Sequence, residues 1–178
     1  ATPRKTASPV DGPSATECLH TYRAAQDRKP PEEALPVRHY DWIAHFGRRT
    51  PDKVAAIDLA SERRFSYAEL DARIACLATH LRDGFGVGRG DRVAVLALNT
   101  TDTLEVQYAC GRIGAVFLPL NTRLTVPELQ YIVSDSSPKV MIHDIDLAEV
   151  YDLSTALGVV GPAHVVISDH RVHHDRRL

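Results

Sequence analysis

The chain has 178 residues, 44% of them hydrophobic and 25% charged, which is the composition of an ordinary globular domain or of part of a larger one. Its net charge is −2 with histidine counted as neutral, so it lacks the basic excess of a nucleic-acid-binding protein and we expect no nucleic acid as partner. No apolar run approaches the roughly 18 residues that a membrane-spanning helix needs, so we expect no transmembrane segment.

The first segment, residues 1–38, holds six of the eleven prolines and few large apolar side chains. Such a composition cannot bury enough apolar surface to offset the entropy of ordering, so it predicts a mostly disordered leader, with a short amphipathic helix near residues 17–26. Arg4 and Lys5 have no apolar stretch after them, which argues against a signal peptide.

From residue 39 onward, strand patterns alternate with helix patterns. A short first helix presents Trp42, Ile43 and Phe46 on one face and ends before Pro51. The predicted strands are 54–59, 63–65, 92–98, 115–118, 139–143 and 164–168. The longer predicted helices are 67–81, 102–113, 126–135 and 146–157.

Two of these helices begin with a capping box, in which a Ser or Thr cap and a Glu three residues later satisfy each other's backbone N–H groups. Ser66 with Glu69 opens one, and Thr125 with Glu128 opens the other. Pro127 lies in the first turn of the second helix, where a missing N–H costs nothing. The alternation predicts an α/β fold, with a mostly parallel sheet flanked by helices on both faces.

Four alternating glycines, Gly84, Gly86, Gly88 and Gly90, suggest a phosphate-binding loop, but such a loop follows a strand and precedes a helix. Here the order is helix, glycines, strand, so we interpret them as a flexible turn. The sequence has no G-x-x-x-x-G-K-[ST] loop and no G-x-S-x-G elbow.

Neither the cysteines nor the histidines predict a site. The three cysteines, Cys18, Cys76 and Cys110, are odd in number and widely spaced, which argues against a disulfide framework and fits a reducing cytoplasm. His170 and His174 would lie one turn apart on a helix and could bind a metal weakly, but a solvated tail explains them better, so no metal site is predicted.

The loop at residues 119–124 is the strongest candidate for a binding site. It follows a predicted buried strand, at the carboxyl end where open α/β sheets bind ligands. Arg123 in this loop could meet an anionic ligand, and the alternative is an ordinary surface arginine.

Four stretches in this order make the chain resemble the N-terminal part of the adenylate-forming acyl-CoA synthetases, the AMP-dependent synthetase and ligase family. They are Thr-Pro-Asp-Lys-Val-Ala at 50–55, Phe-Ser-Tyr-Ala-Glu-Leu at 65–70, Gly-Asp-Arg-Val-Ala-Val at 90–95 and Gly-Ala-Val-Phe-Leu-Pro-Leu-Asn at 114–121. The last continues into Arg123-Leu124-Thr125. The resemblance covers residues 41–168 and implies the N-terminal subdomain of an adenylate-forming enzyme.

The resemblance implies a two-step reaction that uses ATP, Mg²⁺ and coenzyme A. A carboxylic acid attacks ATP to give an acyl-adenylate and pyrophosphate, and coenzyme A then displaces AMP. Some relatives use an arginine at the place of Arg123 to approach the phosphates of coenzyme A. The family's Ser/Thr/Gly-rich loop ending in Pro-Lys is expected after the last strand, where residues 169–178 do not match it, so no catalytic residue is assigned.

The predicted organisation is a leader at 1–38, the family segment at 39–168 and a tail outside the family pattern at 169–178. We therefore expect a truncated ligase fragment that is inactive alone, binds none of these cofactors tightly and is prone to self-association. Two alternatives remain open: a non-catalytic module that keeps the fold to bind a partner, and an unrelated nucleotide-binding α/β domain.

Overall fold

The computed structural model describes residues 40–59, 61–144 and 163–167, together with His20, Ala24 and Leu147. The strands are β1 Val54–Ile57, β2 Arg64–Ser66, β3 Arg92–Leu96, β4 Val116–Pro119, β5 Val140–Asp144 and β6 Ala163–Ile167. The helices are α1 Trp42–Arg49, α2 Tyr67–Thr79, α3 Thr101–Ile113 and α4 Val126–Ser136. The predicted helices at 17–26 and 146–157 lie outside the described residues, apart from the three isolated positions.

The main sheet has the strand order β4-β3-β5-β6, and all three of its pairings are parallel. The prediction of an α/β fold with a parallel sheet is therefore confirmed. Strands β1 and β2 pair antiparallel and form a separate two-stranded sheet. This hairpin is shorter than predicted because the backbone N–H of Ser61 bonds to the Asp58 carboxylate (3.0 Å) and turns the chain.

Helices cover both faces of the main sheet, as its continuous apolar strands predict. Val93 and Val95 of β3 point to one face, where they pack in a core that includes residues of α2 and α3. Ala94 and Leu96 point to the other face, where α4 contributes buried apolar side chains. The alternation along β3 thus follows the two-residue period of a strand buried on both sides.

Local sequence signals set the helix ends. Ser66 caps α2, with the Ser66 N–H bonded to Glu69 Oε2 (2.8 Å) and the Glu69 N–H bonded to Ser66 Oγ (3.3 Å). Helix α3 ends at Gly114, whose φ of 74° is the left-handed conformation that glycine adopts most easily. Helix α2 runs on as a π-helical turn over His80–Gly84, three residues beyond the predicted end.

A set of ion pairs that we call the α3 charge network ties α3 to the preceding elements. Arg112 of α3 is 1% exposed and bonds to Asp41 (2.7 Å) and to Asp71 (2.6 Å). Three further pairs at the first turns of α3 complete it: Arg63 with Asp102 (2.8 Å), Arg73 with Glu105 (2.6 Å) and Arg73 with Asp102 (3.5 Å). Through Asp41, the network connects the segment before α1 to α2 and α3.

Candidate functional site

The carboxyl edge of the main sheet contains a topological switch point. The chain leaves β3 for β4 on one side, while β5 pairs with β3 on the other side. The connections that leave this edge therefore diverge between β3 and β5. Open α/β sheets bind ligands in the crevice where such connections diverge, so this edge is where the fold favours a site.

Polar side chains lie at the ends of β3 and β5. The Thr100 hydroxyl caps α3 by accepting the Thr103 N–H (3.4 Å). His143 is 3% exposed at the end of β5, and its Nδ1 lies 3.1 Å from the backbone oxygen of Asp144. The sequence analysis did not single out His143 and Asp144. The available signal was that two polar residues close an apolar strand. In the described ranges no three side chains of the metal-ligating types come together.

The loop after β4 is held at its start by the sheet. The Leu120 N–H bonds to the carbonyl of Val95 (2.8 Å), and the Leu120 side chain is buried against the α4 side of the core. The chain then turns, with the Leu124 N–H bonded to the carbonyl of Asn121 (3.2 Å) and the Arg123 N–H bonded to the Asn121 side-chain oxygen (2.9 Å). Leu124 returns to the same core, so both ends of the turn are anchored.

Arg123 lies at the exposed tip of this turn. Its guanidinium has no hydrogen bond or ion pair to any residue in the described ranges. An open depression of about 440 Å³ begins at the next residue and is lined by Leu124, Pro127, Glu128, Tyr131 and Ile132. Tyr131 is 73% exposed there. A cation beside an open, mainly apolar depression can receive an anionic ligand that also carries an apolar part.

The acidic side chain in this depression is already engaged. Glu128 Oε2 accepts the Thr125 hydroxyl (2.7 Å) and the Thr125 backbone N–H (2.8 Å), which is the predicted N-terminal cap of α4. These two hydrogen bonds stabilise the carboxylate and lower the pKa of Glu128. Its charge is therefore directed at the helix start, and no described contact joins it to Arg123.

The glycine-rich turn lies at the opposite edge of the sheet, before the start of β3. The Asp91 carboxylate accepts the Gly88 N–H (2.8 Å) and pairs with the Lys139 ammonium (2.8 Å). Gly86 and Gly90 adopt positive φ values of 63° and 83°. The glycines thus serve a tight helix-to-strand connection, as interpreted from the order of elements.

The two cysteines that the structure describes contribute nothing to the site. Burial raises the pKa of the Cys110 thiol to about 12, so it stays protonated and unreactive at neutral pH. Cys76 and Cys110 are not joined in a disulfide. Cys18, His170 and His174 lie outside the described residues. Among the described residues, no helix is long and apolar enough to cross a membrane.

Comparisons with known proteins agree with the resemblance. The sequence model for "AMP-binding enzyme" matches residues 43–176. Over 84 residues the chain is 52% identical to feruloyl-CoA synthase from an Amycolatopsis species, a match that covers 47% of this chain and 17% of that protein. It is 35% identical over 103 residues to the long-chain-fatty-acid–CoA ligase FadD13 of Mycobacterium tuberculosis, a match that covers 58% of this chain and 20% of that ligase.

The fold agrees as well. The crystal structure of the N-terminal domain of FACL13 from M. tuberculosis superposes with a TM-score of 0.62 at 28% identity, over 70% of this chain and 32% of that one. The match spans about a fifth of the length of the curated relatives named above. Since the family model covers most of the chain and the parallel sheet superposes on solved members, the chain belongs to the AMP-binding enzyme family.

Proposed function

We propose that the chain is the N-terminal part of an ATP-dependent acyl-CoA ligase. The observation that carries this proposal is membership of the AMP-binding family, together with relatives that are acid–CoA ligases. In the first step a carboxylate oxygen attacks the α-phosphorus of ATP, and the bond to pyrophosphate breaks. In the second step the sulfur of coenzyme A attacks the acyl carbon, AMP leaves, and the thiol proton passes to solvent.

Arg123 is proposed to hold a phosphate of coenzyme A during the second step. Its guanidinium is exposed at the carboxyl edge of the sheet, and a planar guanidinium matches phosphate oxygens through paired hydrogen bonds. The depression that begins at the next residue offers apolar surface to the uncharged part of such a ligand. Arg123 would therefore contribute to binding coenzyme A and not to the chemistry at the acyl carbon.

The chain alone is proposed to be inactive and to bind ATP, Mg²⁺ and coenzyme A only weakly. Residues 169–178, which follow the last predicted strand, do not match the Ser/Thr/Gly-rich loop ending in Pro-Lys with which the family holds the phosphates of ATP. The described residues bring together no group of three metal-ligating side chains, and we propose that Mg²⁺ acts in the complete enzyme. A cytoplasmic location stays a prediction.

A fusion enzyme tests this proposal, with the entire chain in place of the N-terminal segment of the Amycolatopsis feruloyl-CoA synthase. We expect the fusion enzyme to catalyse acid-dependent ATP–pyrophosphate exchange and to form the CoA thioester, whereas the chain alone gives no exchange above a blank. A fusion enzyme that unfolds cooperatively but forms no thioester would contradict the proposal. Such a result would favour the non-catalytic partner-binding module.

A further inference from the structure

The backbone on both sides of Arg123 is hydrogen-bonded to a single upstream residue, Asn121. Asn121 accepts two N–H groups of the turn, that of Arg123 through its side-chain oxygen (2.9 Å) and that of Leu124 through its backbone carbonyl (3.2 Å). The first bond closes an Asx-turn, in which the Asn side chain takes the place of a backbone acceptor. One residue thus fixes the backbone on both sides of the Arg123 side chain.

The rest of the loop cannot replace this contact. Leu120 and Leu124 are held by the core on either side of the turn, so they fix where the turn begins and ends. Among the described residues, the Arg123 N–H has no hydrogen-bond acceptor other than the Asn121 side-chain oxygen. Without that acceptor the peptide at Arg123 could rotate while both anchors stayed in place, since exposed turn residues sample several conformations.

The surroundings also leave the guanidinium available. Glu128 is the carboxylate that lines the adjacent depression, and its Oε2 is occupied by the hydroxyl and the N–H of Thr125. Arg123 is therefore presented at the tip of a fixed turn without a described ion pair that a ligand would have to break. A backbone that is fixed before the ligand arrives loses less entropy when the ligand binds.

We propose that Asn121 is a positioning residue, whose side-chain oxygen sets the direction in which Arg123 meets an anionic group of coenzyme A. This inference rests on the proposed function, because it assigns Asn121 a role through Arg123. Asn121 itself is exposed and touches no ligand in the proposal. Its effect should pass entirely through Arg123, so removing Arg123 should abolish it.

Amide hydrogen exchange in the intact chain tests the structural half of the inference. We expect Asn121→Ala to speed exchange at the Arg123 amide while the amides of β3 and β5 keep their protection. Asn121→Asp retains an acceptor oxygen and should keep the Arg123 amide protected. An Arg123 amide that exchanges equally fast in the parent chain and in Asn121→Ala would overturn the inference.

The fusion enzyme tests the functional half. Asn121→Ala should raise the KM for coenzyme A by about three- to tenfold, within the range for coupled neighbouring residues, and leave ATP–pyrophosphate exchange unchanged. Asn121→Ser, which keeps a shorter acceptor, should recover part of that loss. The double variant Asn121→Ala/Arg123→Ala should be no worse than Arg123→Ala alone.

The outcomes separate this inference from the proposed function. If Arg123→Ala raises the KM for coenzyme A but Asn121→Ala does not, the positioning role is wrong and the role of Arg123 stands. If the two effects multiply in the double variant, Asn121 acts independently of Arg123 and the inference is also wrong. If Arg123→Ala has no effect, the proposed role of Arg123 fails and the inference fails with it.

Discussion

Two arginines of this chain, Arg112 and Arg123, have opposite surroundings. Arg112 is 1% exposed on α3 and bonds to carboxylates on both sides, whereas Arg123 lies at an exposed turn with no described side-chain partner. A buried guanidinium must be neutralised locally because an unpaired buried charge costs far more than the pair gains. An exposed guanidinium is already hydrated and remains available to a ligand. Burial and pairing therefore distinguish a structural arginine from a candidate binding one.

The largest effect is expected at Arg112. Arg112→Ala should lower the free energy of unfolding by about 3–5 kcal/mol, the usual cost of breaking a buried ion pair, because Asp41 and Asp71 would lose their shared partner. Arg112→Lys should lower it less, since the charge stays but the second hydrogen bond is lost. Urea denaturation measures both variants. A loss below about 1 kcal/mol for Arg112→Ala would contradict a structural role for this network.

Exposed apolar side chains beside the α3 charge network should govern association of the isolated chain. Leu59 is 89% exposed and Leu98 is half exposed. The Thr101 hydroxyl, three residues after Leu98, donates a hydrogen bond to the carboxylate of Asp58, which precedes Leu59 (3.3 Å). Large exposed apolar side chains favour association. We expect Leu59→Glu/Leu98→Glu to shift the chain toward monomer in sedimentation velocity, compared with the matched exposed change Tyr131→Glu. An unchanged distribution would assign association to another surface.

The free energy of unfolding should depend on pH in opposite ways through Glu105 in the α3 charge network and through Glu128 at the start of α4. Desolvation raises the pKa of Glu105 despite its pairing with Arg73, so the folded state binds the proton more tightly than the unfolded state. Its contribution to stability is then fully present below the unfolded pKa and is lost as the pH rises through the folded value. The pKa of Glu128 is lowered, so its contribution is present at neutral pH and lost as the pH falls.

Urea denaturation as a function of pH tests this contrast. Relative to the parent chain, Glu105→Gln should become progressively more stable as the pH rises from the unfolded pKa of glutamate, near 4.5, through the raised folded value. Glu128→Gln should show a relative loss at neutral pH that disappears at acidic pH. If the stability of both variants, relative to the parent chain, changed with pH in the same direction, the charge environments of Glu105 and Glu128 would not differ as their contacts indicate.

The smallest effect on stability is expected at Arg123. Arg123→Ala should change the free energy of unfolding by less than about 0.5 kcal/mol, because the guanidinium contributes no described contact to the fold. Arg49→Ala, which removes an exposed arginine at the end of α1, is the matched control. A loss of more than about 1 kcal/mol at Arg123 alone would mean that this arginine has a structural partner.

The helix starts and strands that depend on residues close together in the chain could be predicted from the sequence. The capping boxes at Ser66 and Thr125 and the apolar run of β3 are local signals, and the corresponding helices and strand formed close to the predicted bounds. β3 ends two residues early because the Leu98 carbonyl accepts the Thr103 hydroxyl (2.8 Å) as the chain turns into α3.

Long-range features could not be predicted in this way. Arg112 and Asp41 are 71 positions apart, and no periodicity relates them. The switch point beside His143 depends on strand order, which is decided by how whole helices pack on the sheet. The loop that carries Arg123 was predicted because its position after a buried strand is a property of the chain order, but its turn contact with Asn121 required the structure.

The split between the two half-reactions of the fusion enzyme tests the central claim most directly. Arg123→Ala should raise the KM for coenzyme A by about tenfold, which corresponds to roughly 1.4 kcal/mol and is within the range for a hydrogen bond to a charged group. Acid-dependent ATP–pyrophosphate exchange should stay at the parent rate, and Arg49→Ala should change neither quantity. An unchanged KM for coenzyme A, or a parallel loss of exchange and thioester formation, would contradict the assignment of Arg123 to the coenzyme A site.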